Sequence, residues 1–161
     1  MKLSYFTPIV FVLLLFSSCS DDDNSSQNTE LTYDLVQNNS SNVSGSATFR
    51  ELENGDVELV LTLNNIENDA DHPAHIHYNS ISEGGDVFVD LNNVQGNTSQ
   101  SITTFNEDIE GNLLEFSDIS FLDAHINVHQ SPNNLDVIAQ GNIGSNVDSS
   151  SNNDNGGSGG Y

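Results

Sequence analysis

Positive charge is almost missing from this chain. Lys2 and Arg50 are its only basic residues against 24 acidic ones, for a formal net charge of −22. Phosphate backbones are held by clustered Lys and Arg, so the composition excludes nucleic acid as a partner. Direct adsorption to anionic lipid is excluded with it. Such a field draws cations and repels small anions. Cysteine is nearly absent too. Cys19 stands alone, so no disulfide can close within the chain. The apolar run Ile9–Phe16 is too short to cross a bilayer as a helix. No G-x-S-x-G elbow or Gly-rich phosphate loop stands at a strand-to-helix junction, since glycines 156, 157, 159 and 160 belong to a polar tail.

What is present at the N-terminus is an address. Met1-Lys2, the run Ile9–Phe16 and the small pair Ser17-Ser18 have the form of a signal peptide, residues 1–18. Phe16-Ser17-Ser18-Cys19 resembles a bacterial lipobox, with Phe where Leu is usual. Lipidation of Cys19 is the expectation, because acyl chains there anchor a protein to a membrane. Ser20-Asp21-Asp22-Asp23 resembles the acidic signals that carry some lipoproteins to the outer cell face. The expected location is the outer membrane, facing the surface or the periplasm. Residues 19–29 read as an acidic flexible tether. Residues 145–161, rich in Ser, Asn and Gly, read as a disordered tail.

Between them, residues 30–144 amount to one domain. No helical periodicity runs through it. Val57, Leu59, Leu61 and Leu63 alternate with Glu58, Val60, Thr62 and Asn64, the pattern of a half-buried antiparallel strand. Asn54-Gly55 before it predicts a hairpin turn. Further strands are predicted over 31–36, 44–51, 74–78, 86–91, 99–105, 124–129 and 135–143, with a short helix within 113–121. Short strands with Gly, Asn and Asp turns at this spacing predict an all-β fold, an antiparallel Greek-key β-sandwich.

The five histidines fall in two clusters, His72-Pro73-Ala74-His75-Ile76-His77 and His125-Ile126-Asn127-Val128-His129. Alternate residues of a strand share a face. His75 and His77 therefore oppose Ile76, and His125 and His129 oppose Ile126 and Val128. Imidazoles gathered this way suit copper or zinc. His75 and His77 lie about 7 Å apart along a strand and can converge on one ion, with His129 completing a set of three. His125 lies about 13 Å from His129, which keeps it out of the same mononuclear site. It stays a weaker candidate, with His72, which would swing in from a loop before Pro73. Asp69 and Asp71 offer oxygen ligands or acceptors that orient an imidazole. The same histidines have a structural use, hydrogen-bonding loop carbonyls. The segment Asn68-Asp69-Ala70-Asp71 invites calcium, without EF-hand spacing.

His75-Ile76-His77, Gly84-Gly85-Asp86-Val87, Ile126-Asn127-Val128-His129 and the closing Ala139-Gln140-Gly141-Asn142-Ile143-Gly144 together resemble the CHRD domain, over most of residues 44–144. That module occurs in chordin and in bacterial secreted proteins and lipoproteins. The resemblance implies an immunoglobulin-like sandwich similar to copper/zinc superoxide dismutase, and no general activity. In the dismutases an HxH and a late Val-His bind copper. Carried across, these are His75, His77 and His129. Other parts of that pattern are missing. No histidine lies between His77 and His125, so the bridging and zinc-loop ligands have no counterpart, and the paired cysteines are absent. No arginine follows His129 to receive an anion. The function expected is a non-catalytic binding or interaction module contacting a cell-surface protein or glycan. The alternative is copper or zinc binding and sequestration through the histidines, with dismutation as its enzymatic extreme. An edge strand would serve a protomer contact, but no pattern requires one.

Overall fold

The computed structural model describes residues 29–67 and 69–147. The signal segment, Cys19, the tether to residue 28, Asn68 and the tail from residue 148 lie outside the described residues. Among the described residues eight strands form: β1 (Glu30–Gln37), β2 (Ser44–Glu51), β3 (Val57–Asn64), β4 (Asp71–Tyr78), β5 (Val87–Gln95), β6 (Gln100–Phe105), β7 (Asp123–Ser131) and β8 (Asn134–Gly144). All neighbours are antiparallel, in the closed order β1-β2-β3-β6-β5-β4-β7-β8.

Pairing is thin at two seams. β5 meets β6 in register only at Gln95–Gln100, and β1 meets β8 only at Val36–Gln140 and Gln37–Ala139. The closed sheet is therefore also a sandwich of two four-stranded sheets, β1-β2-β3-β6 and β5-β4-β7-β8. The jumps from β3 to β6 and from β4 to β7 give it the expected Greek-key character.

Alternation places the core. Val57, Leu59, Leu61 and Leu63 of β3 are buried and meet Ala47 and Phe49 of β2 with Ile76, Ile126, Val128 and Ile143 from the other sheet. Tyr33 packs edge-on against Phe49, with ring centres 5.8 Å apart. The hairpin before β3 turns at Gly55, whose φ of 88° a residue with a Cβ resists. Asn54 supports the turn by accepting the Asp56 N–H through its side chain.

Two features depart from the sequence expectation, the start of β4 and the start of the tail. β4 starts at Asp71, so His72 is a strand residue rather than a loop residue. Pro73 fits because pairing with β5 shifts register between His72 and Ala74, the place where a strand tolerates a missing N–H. The short helix expected within 113–121 forms as a 3₁₀ helix, Phe116–Phe121, anchored by buried Phe116 and Ile119. Ser145 and Asn146, assigned to the tail, are still bonded to the domain: the Ser145 N–H donates to the Leu122 carbonyl, and the Asn146 side chain donates to Asp123.

The β4–β7 ladder sets up the site. It pairs His75 with Asn127, Ile76 with Ile126, and His77 with His125. With Ala74, Ile76, Ala124, Ile126 and Val128 turned into the core, the alternate residues His75, His77, His125, Asn127 and His129 share the outer face.

Candidate metal centre

Four imidazoles run in a row across that face. His125 stacks on His77 with centres 5.2 Å apart and planes at 17°. His77 meets His75 edge-on at 5.7 Å, and His75 meets His129 at 5.2 Å. One ring nitrogen from each of His75, His77 and His129 lies within 4.8 Å of the other two. Among the described residues this is the one group of three or more His, Cys, Asp or Glu side chains so arranged.

Backbone carbonyls fix the rings. His77 Nδ1 is 3.0 Å from the Gly85 carbonyl, His125 Nδ1 is 2.8 Å from the Asn79 carbonyl, and His129 Nδ1 is 2.7 Å from the Leu135 carbonyl. A carbonyl only accepts, so each Nδ1 carries hydrogen, and in the neutral form of the ring Nε2 is left with its lone pair. A ring held through one nitrogen so that the other is free to ligate is the usual support of a metal-binding histidine. The loop-carbonyl role and the ligand role expected from the sequence are therefore compatible in one ring.

His77 Nε2 is buried and has no hydrogen-bond partner. His129 Nε2 faces His75 Nδ1 at 3.2 Å. With the His129 lone pair there, the His75 Nδ1–H is the donor. The other nitrogen of His75, Nε2, lies 3.8 Å from Asp90 Oδ1. With Nδ1 given to an ion, the proton of His75 would sit on Nε2, beside that carboxylate. Metal–imidazole bonds of about 2.0–2.1 Å put two ligating nitrogens at most about 4.2 Å apart, so small side-chain rotations close the set. The donor chemistry and the unpartnered nitrogen fit a copper or zinc ion.

The weaker candidates lie elsewhere. His72 is 1% exposed and shares the inward phase of Ala74 and Ile76. Its Nδ1–H donates to the main-chain carbonyl of His129 over 3.1 Å, so it touches the backbone of the candidate ligand and not the row of rings. His125 ends the row, and its Nε2 accepts from Asn127 Nδ2 at 3.3 Å. Neither Asp69 nor Asp71 is in the group of three, and the carboxylate beside it is that of Asp90. A cleft of about 690 Å³ at the β5–β6 seam, lined by Asn92, Gln95, Thr98 and Gln100, includes none of the histidines. The histidine site is a shallow surface feature, with the His75 side chain 25% exposed.

Burial holds the pKa of His75 below the ordinary imidazole value. Repulsion from His129 and His77 adds to the effect and Asp90 opposes it. Burial also lowers His125, against the hydrogen bond that its Nδ1–H donates to the Asn79 carbonyl. Both rings are thus biased to the neutral form that binds metal.

Sequence reading missed the carbonyls of Gly85, Asn79 and Leu135, and also Asn127 and Asp90. Spacing alone would have placed Asn127 on the face of His125 and His129. The carbonyls leave no trace in side-chain identity, although Gly85 has a visible cause. A Cβ there would collide with the Tyr78 carbonyl, so only glycine brings this backbone close enough for its own carbonyl to reach His77.

No family model matches the chain, so the CHRD resemblance rests on the motifs themselves. No curated protein matches it either. Among solved structures it is similar to Candida albicans superoxide dismutase 5, Cu(II), at 17% identity and a TM-score of 0.48, over 73% of this chain and 92% of that one.

Proposed function

We propose that this domain is a non-catalytic binding module whose ligand is one copper or zinc ion, held by His75, His77 and His129 for sequestration or delivery. The observation that carries this reading is the unpartnered, buried Nε2 of His77 beside the His75–His129 pair, with Nδ1 of His77 and of His129 held by backbone carbonyls. A bound ion would supply a Lewis-acidic or, for copper, a redox centre. The protein's own residues disfavour superoxide as a substrate. Arg50, the basic residue within the domain, is engaged on β2 with Glu30 at 2.7 Å, and the net charge of −22 repels an anion.

The chain is further proposed to be a CHRD-type lipoprotein of the outer membrane, anchored through Cys19 and facing the surface or the periplasm. Support comes from the N-terminal motif and the quoted domain motifs. Cys19→Ser is expected to release the protein from the membrane fraction, and retention of that variant would contradict the anchor. A second reading, docking to a cell-surface protein or glycan, draws on Leu113 and Phe121, exposed at 71% and 81% in the connection between β6 and β7.

Titration with Cu(II), Cu(I) and Zn(II) separates the two. Saturation at one ion supports the metal module. A folded protein with no stoichiometric binding retires it and leaves the docking module.

A further inference from the structure

Asn127 lies between His125 and His129 on β7 and directly opposite His75 on β4. Its Nδ2 donates to His125 Nε2. The amide is planar, so Oδ1 points away from that contact. That oxygen is buried and has no hydrogen-bond partner. The same is true of His77 Nε2 on the facing strand. One paired-strand face thus buries two acceptors, a lone-pair nitrogen and an amide oxygen, and neither can satisfy the other. Leaving such groups unpaired is costly unless a donor or a cation reaches each of them. A single cation would serve both. Amide oxygen also serves copper as a weak fourth ligand in trigonal sites.

We propose that Asn127 Oδ1 is a fourth ligand of the site, completing the nitrogens of His75, His77 and His129 with one neutral oxygen. This rests on the metal reading above. Asn127 then has two roles through one amide: its nitrogen holds His125, and its oxygen faces the ion.

The test uses the full chain carrying Cys19→Ser, so that the lone thiol does not compete, in mild detergent with Cu(II) as the probe. Binding affinity and the electron paramagnetic resonance spectrum are measured for this parent, for Asn127→Leu and for Asn127→Asp. The expected result is one Cu(II) per parent chain. Asn127→Leu should bind about 10- to 100-fold more weakly, the range for losing a group that supports a metal site, and its copper hyperfine pattern should change. Asn127→Asp keeps an oxygen and should bind at least as tightly as the parent, with an altered spectrum. Unchanged affinity and spectrum in Asn127→Leu would overturn the assignment and leave Asn127 as a support for His125. Weaker binding with an unchanged spectrum would do the same. If Asn127→Leu fails to fold, the near-isosteric Asn127→Asp decides: a spectrum identical to the parent's rejects the oxygen as a ligand. A parent that binds no copper rejects the metal reading itself together with this one, which distinguishes the two failures.

Discussion

His75 Nδ1 and His129 Nε2 stand 3.2 Å apart although 54 residues separate them in sequence. They meet because β4 and β7 pair with His75 opposite Asn127, which leaves His129 one outward position further along its strand. The contact is a hydrogen bond, and in the proposed function it is where an ion would be held.

The first prediction concerns Gly85. Its backbone packs against the Tyr78 carbonyl so closely that a Cβ collides, and its own carbonyl fixes His77. Gly85→Ala should destabilise the fold by about 1–3 kcal/mol, as forced backbone shifts do. It should also weaken metal binding by releasing the His77 ring. Urea denaturation and a metal titration check both effects, and a variant with parental stability and affinity would contradict the role.

A second prediction follows from the protonation bias of His75 and His125. Both are held below their ordinary value in the folded state, chiefly by burial. The unfolded chain therefore takes up protons first as pH falls. Their contribution to stability is complete above the unfolded value of about 6.5. It is lost as pH falls from there toward the lowered folded values. The carboxyls of Glu83 and Asp108 are held low by hydrogen bonds from Ser80 and Asn112. Their contribution is present above the ordinary carboxylate range and is lost at more acid pH, in a separate window. The metal-free protein should show a lower urea midpoint at about pH 5.5 than at about pH 7.5. The comparison belongs in moderate salt, which screens repulsion among the surface carboxylates. An equal or higher midpoint at the lower pH would contradict it.

The third prediction concerns the core. Phe49 is fully buried at the centre of β2, and truncating an aromatic ring there leaves a cavity that neighbouring strands cannot fill. Phe49→Ala should cost about 3–5 kcal/mol, read as a lowered unfolding midpoint. An effect below about 1 kcal/mol would mean that the sandwich collapses around the void.

Much of this was legible in the order of residues. The alternation of Val57 to Leu63 defines a strand buried on one face, and Asn54-Gly55 marks its turn. His75, His77 and His129 shared a face by parity alone. What parity could not give is register between distant strands. Whether His129 stood beside His75 or far from it depended on the β4–β7 ladder, a tertiary fact. The placement of His72 failed for a local reason. Pro73 reads as a strand breaker, but a register shift in the partner strand absorbs it, so His72 continues the inward phase and is buried.

The most direct measurement is a two-bond proton–nitrogen correlation spectrum of the histidine rings, without metal and with one equivalent of Zn(II). Without metal, His77, His125 and His129 should each show the Nδ1–H form, as their carbonyl partners require. With Zn(II), Nδ1 of His75 and Nε2 of His77 and His129 should take the shifts of ligating nitrogens, while His72 and His125 stay as they were. No shift in those three rings, or ligation at His72 or His125 in their place, would contradict a metal centre built on the β4–β7 face.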